Sequence, residues 1–322
     1  MELAVTIFLF IVGLALIIKG GDVFVDAATW AADISGIPKF IIGATVVSLA
    51  TTLPELLVSL FASLEGKVDI AIGNAVGSVT ANTGLIMAIS MICLPSIAKR
   101  KSIGWKSVFL ILSTGLLLLF SQDGRLGTVE SIVLLVIFAV SIWDSISKGK
   151  KATELKNASE GVTVKRKEIL TNSMKFVLGA AAIVIGADML VDYGSSLARF
   201  FGISEAIIGA TLIAVGTSIP ELVTTITAIA KREASLSVGN IIGANVIDIT
   251  LIMPLCTLLS GKDLPVSGQN LVLDIPACFA IIVMALVPML LREKYTRIHG
   301  FIIMAAYIVY LYLVLTGAYA SF

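Results

Sequence analysis

The sequence holds a single histidine, three cysteines and few charges, and each scarcity excludes a class of function. His299 has no second histidine to join it and no neighbouring cysteine, so no imidazole- or thiolate-based transition-metal site can be assembled. Cys93, Cys256 and Cys278 fall within or at the edge of apolar segments, without CxxC spacing, and read as unpaired packing residues. Asp, Glu, Lys and Arg make up only 14% of the chain, and the formal net charge of +1 is segregated by loop rather than pooled in a patch that could bind nucleic acid. The first apolar segment lacks a basic leader region, having only Met1 and Glu2 ahead of it, and so reads as a first membrane span rather than a cleavable signal.

What the chain does have is apolar length. Of 322 residues 57% are hydrophobic, and the mean hydropathy is +1.02. Apolar runs of spanning length recur at 3–27, 38–63, 69–95, 105–121, 127–146, 173–196, 204–230, 236–260, 269–291 and 300–319. These predict an all-α polytopic protein of the cell membrane with ten transmembrane helices, whose partner is the lipid bilayer and whose composition calls for no obligate protein partner and no nucleic acid. The longest polar stretch, 148–172, carries seven basic residues and divides the chain into five-span halves, 1–147 and 173–322.

Positive charge sets the orientation. Loops after odd-numbered spans carry Lys39, then Lys99, Arg100, Lys101 and Lys106, then the 148–167 cluster, Lys231 with Arg232, and Arg292, Lys294 and Arg297. Loops after even-numbered spans carry Lys67, Arg125, Arg199 and Lys262 alone. The first set is expected in the cytoplasm, with 148–172 as a cytoplasmic linker loop and both termini extracellular.

The halves also repeat each other. "GDVFVDAATWAADISGIPKFIIGATVVSLATTLPEL" from Gly21 aligns with "ADMLVDYGSSLARFFGISEAIIGATLIAVGTSIPEL" from Ala187 at a constant shift of 166, and the register continues through "GNAVGSVTANTGLIM" and "GNIIGANVIDITLIM". A unit with an odd number of spans re-enters the membrane from the opposite side in its second copy, so the prediction is an inverted-topology repeat. The most similar stretches are about 38–95 and 204–260.

Each copy interrupts its second span, "TTLPE" ending at Glu55 and "TSIPE" ending at Glu221. Proline removes a backbone donor and clashes with the preceding turn, so spans 2 and 7 are expected to break into half-helices. One explanation of T-x-x-E is a capping box, with Thr52 or Ser218 as the cap and the glutamate reaching back to a backbone N–H. Depth in the bilayer favours another. An ionisable group near the midplane costs about 2.5–3.5 kcal/mol and persists where it lines a cavity or an ion path. The third span adds Asn74, Ser78 and Asn82 on one helix face, and the eighth adds Asn240, Ala244 and Asp248. For that stripe alone, interhelical hydrogen bonding is an equal explanation, and close helix approach accounts for Gly73, Gly77, Gly239 and Gly243.

The candidate ligands are therefore all oxygen: the carboxylates of Glu55, Glu221 and Asp248, the amide of Asn82, the hydroxyls of Thr51, Thr52, Ser78, Thr217 and Ser218, and main-chain carbonyls. Hard oxygen cages suit Ca²⁺ and Na⁺. Carboxylates sharing one cavity repel unless a divalent ion, several monovalent ions or a proton offsets them, and that is the physical basis of exchange. An intramembrane aspartyl protease would use paired carboxylates but not a duplicated set of hydroxyls, amides and helix breaks. A passive channel is separable from an antiporter by counterflow. Asp22, Asp26, Asp188 and Asp192 lie near the ends of spans 1 and 6 and read as interfacial, with cation attraction at an entrance as the alternative.

The two G-A-T…T-[TS]-x-P-E…G-N-x-[IV]-G-[SA] blocks resemble the α-repeats of the sodium/calcium exchangers, within the cation/calcium exchanger superfamily, and the short central loop resembles prokaryotic members. The resemblance implies a secondary antiporter, not an enzyme, which uses no cofactor and exchanges Ca²⁺ for Na⁺ by alternating access. It implies that Glu55 and Glu221 hold Ca²⁺, with Thr51 and Thr217 lending oxygen to calcium and sodium. It further implies that Asn82 and Asp248 border the middle site. Ser78 and Ser218, with the carbonyl near Ala214, would form an outer sodium site, and Thr52 with the region of Ser48 an inner one. The chain departs from the family at Ala244, where a serine is usual, at Ser48 opposite Ala214, and at Ala50 opposite Gly216. The missing hydroxyl at Ala244 predicts a weaker inner sodium site and leaves H⁺ or another cation as the alternative coupling ion.

Overall fold

The computed structural model describes residues 2–95, 100–160, 166–201, 216–294 and 296–317. The described residues are almost entirely helical. In chain order they form α1 (Glu2–Ser35), α2 (Lys39–Thr51), α3 (Leu53–Leu64), α4 (Ile70–Cys93), α5 (Arg100–Phe120) and α6 (Thr128–Glu160). The second half adds α7 (Arg166–Phe200), α8 (Ile219–Ala230), α9 (Ala234–Ser260), α10 (Asn270–Arg292) and α11 (Arg297–Thr316). Among them eight helices are long and apolar enough to cross a membrane, and the pair α2 and α3, bent by 47° at their junction, makes a ninth. Residues 204–215, the first part of the seventh expected span, lie outside the described residues.

Burial sorts the helices into a centre and a periphery. The most apolar windows of α4 and α9 are 72% and 83% buried, whereas those of α1 and α11 are each 17% buried. The core joins Ile72, Val76 and Val79 of α4 to Ile241, Ile242 and Ile249 of α9, with Leu110, Leu117, Ile275 and Ile282 from α5 and α10 closing around them. The exterior is apolar, as Phe8, Leu119, Trp143, Val177 and Tyr312 are all exposed. Such a surface suits hydrocarbon, where helices keep every backbone hydrogen bond internal.

α1 and α7 pack at their glycines. A Cβ added at Gly13 would stand 3.2 Å from the Gly186 carbonyl, and one at Gly20 would stand 3.0 Å from that of Gly179. Contacts between 13 and 186 and between 20 and 179 run in opposite chain directions, so the two helices are antiparallel. The four glycines are also repeat counterparts, Gly13 of Gly179 and Gly20 of Gly186.

Within the polar stretch 148–172 the described residues are helical. α6 continues through it to Glu160, and α7 begins at Arg166. Lys, Glu and Ala favour helix, and Lys148 closes an i,i+4 pair on Asp144 at 2.7 Å. Loops group by parity. Lys39, Lys231 and Lys156 meet acidic or carbonyl partners at the end of α1 and in the α8–α9 turn. Elsewhere Arg125 pairs with Asp263 at 3.2 Å beside the short strands β1 (Arg125–Leu126) and β2 (Leu264–Pro265).

Candidate ion-binding site

Two turns with the same backbone geometry frame the site. Thr52 (φ −87°, ψ 2°) interrupts the path from α2 to α3, and Ser218 (φ −85°, ψ 4°) precedes α8. Pro54 and Pro220 sit in the first turn of α3 and α8, where a missing N–H costs least. The N-terminal turns carry Glu55 and Glu221, so each carboxylate sits at the positive end of a helix dipole.

Neither break is a capping box. Thr52 and Ser218 make no side-chain cap bond. Thr52 Oγ1 instead donates to Glu221 Oε1 at 3.2 Å, crossing between repeats. Both oxygens of Glu55 lack a hydrogen-bond partner, as do Glu221 Oε2, both oxygens of Asp248, both polar atoms of the Asn82 amide, and Ser218 Oγ. Glu55, Glu221 and Asp248 are fully buried and close enough for their charges to interact. Leaving one buried polar atom unpaired costs about 1–3 kcal/mol and more for a charged one. So many at one place describes a pocket of acceptors awaiting a positive charge.

The hydroxyls are oriented by amides from the opposite repeat. Thr51 Oγ1 donates to Asn240 Oδ1 at 3.2 Å, and Thr217 Oγ1 donates to Asn74 Oδ1 at 3.1 Å. The residues of the second pair are the 166-shift counterparts of those of the first. Asn74 Nδ2 also donates to the Glu55 carbonyl at 3.2 Å and to Ser59 Oγ at 2.9 Å. Ser78 Oγ lies 3.5 Å from Thr217 Oγ1. Ser48, fully buried, donates to the Thr45 carbonyl at 3.1 Å, and its Oγ stands 2.6 Å from where a Cβ at Gly243 would be.

Thus Glu55, Glu221, Asp248, Thr51, Thr52, Thr217 and Ser78 form one connected group, with Asn82 and Ser218 buried and unpaired and Ser48 beside Gly243. Ala214 lies outside the described residues. Asn74 and Asn240 carry more than the sequence suggests. Their helical spacing exposes the polar stripe, but nothing local reveals that each amide meets a threonine from the other half. Asn82 and Asp248 also open π-helical turns, Asn82–Met87 and Asp248–Ile252, a local widening frequent at functional sites and without a sequence signal here.

Among the described residues no three His, Cys, Asp or Glu side chains converge as a metal cluster. A cation held between the glutamates would need further oxygens from hydroxyls, amides and main-chain carbonyls, the ligand mixture of hard cations. A cavity of about 270 Å³, lined by Asp188, Asp192, Val191, Pro54 and Thr217 among others, opens beside this group.

The profile of the sodium/calcium exchanger protein family matches residues 5–146 and 174–316. The candidate antiporter CaxA of Alkalimonas amylolytica is 32% identical over 98% of this chain and 100% of its own length. The sodium/calcium exchanger MaX1 of Methanosarcina acetivorans is 29% identical, covering 96% of this chain and 98% of its own. The fold is similar to that of the sodium-calcium exchanger NCX_Mj soaked with 2.5 mM Na⁺ and 10 mM Sr²⁺, with a TM-score of 0.82 and 28% identity over 95% of this chain and 98% of that one. With the family profile matched over both halves and these likenesses over nearly its whole length, the chain belongs to the sodium/calcium exchanger family.

Proposed function

We propose that this protein is a secondary antiporter that carries Ca²⁺ across the cell membrane in exchange for Na⁺ by alternating access. It is a transporter and not an enzyme. The observation that carries the reading is the group of buried carboxylate oxygens without partners on Glu55, Glu221 and Asp248. Their mutual repulsion is offset by one divalent ion or by several monovalent ions, so either set fills the pocket and both together overfill it. Glu55 and Glu221 hold Ca²⁺ from opposite repeats, with Thr51 and Thr217 completing its shell and Asn82 and Asp248 bordering the middle. Ser78, Ser218 and the Ala214 carbonyl serve an outer Na⁺ site, and Thr52 with Ser48 an inner one.

The full architecture belongs to the same proposal: ten spans in two inverted five-span units, 1–147 and 173–322, joined through 148–172 on the cytoplasmic face, with extracellular termini. Support comes from the antiparallel glycine contact of α1 with α7, the matching breaks at Thr52 and Ser218, and the two repeat-related threonine–asparagine bonds. By this orientation the cavity beside Asp188 and Thr217 faces outside. Its repeat-related surface is packed, with Val25 and Thr51 buried and a Cβ at Gly21 reaching within 2.8 Å of Thr227 Oγ1. Asp188 and Asp192 then stand at the outer entrance.

The alternative is coupling to H⁺ or another cation, and it rests on Ala244, fully buried and without the hydroxyl that family members usually carry. One experiment separates the two. Purified protein in vesicles should accumulate Ca²⁺ when an outward Na⁺ gradient is imposed at equal pH. Uptake driven by a pH gradient without Na⁺ would replace Na⁺ by H⁺, and no uptake under either gradient would remove the antiporter reading.

A further inference from the structure

We propose that the groove between α2 and α6 binds one phosphatidylethanolamine, with an acyl chain bracing α2 and the zwitterionic headgroup held by Lys150 and Glu154. The proposal goes beyond the antiporter reading, and only the choice of the cytoplasmic leaflet follows from the orientation given there. The groove encloses about 520 Å³. One wall is Ile41, Ile42 and Val46 of α2, and the other is Ile142 and Ile146 of α6. Its two hydroxyls are turned back onto their own helices. Thr45 Oγ1 donates to the Ile41 carbonyl at 2.6 Å, and Ser145 Oγ donates to the Ser141 carbonyl at 3.0 Å. Along most of its length the groove therefore presents hydrocarbon and no unmet polar group, which a lipid tail suits and water does not.

Charge is confined to one end. The apolar run of α6 closes at Ile146, with Trp143 exposed just before it and lysines following at 148, 150 and 151. An exposed tryptophan beside basic residues marks the headgroup level of a bilayer. There Lys150, Thr153 and Glu154 line the groove. Lys148 is held by Asp144 at 2.7 Å. Among the described residues neither Lys150 nor Glu154 has an ion-pair partner, although they lie four apart on one helix face. A lipid phosphate accepts from Lys150 and Thr153, and a primary ammonium one short linkage away donates to Glu154. Phosphatidylglycerol brings no amine to Glu154, and the quaternary ammonium of phosphatidylcholine has no N–H to give.

The site bears on transport through α2. Another face of the same segment carries Gly43, where an added Cβ would press on the Leu236 carbonyl and lie 2.9 Å from the Asn240 backbone nitrogen. The Asn240 side chain in turn accepts from Thr51 at the end of α2. A tail behind Ile42 and Val46 thus keeps this stretch of α2 against α9.

Full-length protein in detergent micelles with a trace of diazirine-tailed phosphatidylethanolamine tests the site without transport. Photo-adducts should concentrate on 41–46 and 142–146. Unlabelled phosphatidylethanolamine should compete at about a third of the concentration that phosphatidylcholine or phosphatidylglycerol needs, the scale of exposed ionic contacts. Lys150→Gln and Glu154→Gln should each lower labelling about threefold. Ile146→Trp, at a position 50% exposed, should fill the groove and remove the adducts while the protein stays folded. In vesicles, Ca²⁺ uptake should be about threefold faster with phosphatidylethanolamine than with phosphatidylcholine alone, and Ile146→Trp should lose that gain. Adducts spread evenly over the exposed helices, phosphatidylglycerol competing best, or uptake equal in both lipids would overturn the proposal. So would disulfide-linked dimers of Ile146→Cys in a Cys93→Ser background, which would seat a second copy in the groove. Groove-specific adducts in a protein that moves no Ca²⁺ in any lipid would keep the lipid site and remove the antiporter reading.

Discussion

Thr51 hands its hydroxyl proton to the side-chain carbonyl of Asn240 across the centre of the molecule, at 3.2 Å. The same bond recurs between the repeat counterparts, from Thr217 to Asn74 at 3.1 Å. The Thr51 hydroxyl also reaches the Ser48 carbonyl at 3.3 Å, and whichever of the two takes its proton, the oxygen keeps lone pairs for a cation. Asn240→Ala should therefore leave the protein folded but raise half-saturating Ca²⁺ about fivefold, the scale of one hydrogen bond. Asn74→Ala should do more, because Asn74 also holds Ser59 and the Glu55 carbonyl. Ion titration of uptake rates checks both.

The unpaired carboxylates make a prediction about stability. Neutralising Glu55→Gln or Glu221→Gln should abolish Ca²⁺ exchange yet raise the melting temperature in ion-free buffer, since each removes a buried charge that lacks a full set of partners. In the wild type, Ca²⁺ at about a hundred times its Kd should add about 2.7 kcal/mol. Neither variant should show that gain. Thermal melts with and without Ca²⁺ measure all of these, and a variant destabilised in ion-free buffer would contradict the description of the pocket.

Ala244 is fully buried, in the register of Ser78. Ala244→Ser should restore a hydroxyl near the inner break and lower half-saturating Na⁺ by about fivefold, again the scale of one polar contact, with little change for Ca²⁺. Na⁺ dependence of Ca²⁺ efflux is the measurement. If coupling is to H⁺, the substitution should leave Na⁺ dependence flat.

The α2–α9 contact admits no side chain at Gly243, where an added Cβ would lie 2.6 Å from Ala44 Cα. Alanine is the better helix former by about 1 kcal/mol, but overpacking against backbone costs about 1–3 kcal/mol, so the clash wins. Gly243→Ala should lower the melting temperature, and because the same Cβ would lie 2.6 Å from Ser48 Oγ it should also weaken Na⁺ at the inner site; thermal melts and Na⁺ titration check the two effects.

Much of this protein can be read directly from its residues, and the reasons are local. Membrane spans announce themselves because hydrocarbon demands an unbroken apolar run. Both breaks are legible because proline and a buried glutamate interrupt such a run at Pro54 and Glu55 and again at Pro220 and Glu221. Charge at 148–172 hides a helix, because polarity reports solvent rather than backbone conformation, and α6 extends through it to Glu160.

The sequence by itself determined the duplicated unit, the depth of the acidic groups and the all-oxygen chemistry of the pocket, since composition and spacing along one chain carry them. Only the tertiary structure decided which half meets which: that Thr52 bonds Glu221 rather than capping its own helix, and that Asn240 serves Thr51 while Asn74 serves Thr217. A duplicated sequence is symmetric in its list of residues. Contacts between residues more than 160 positions apart depend on how the helices of the two halves settle against each other.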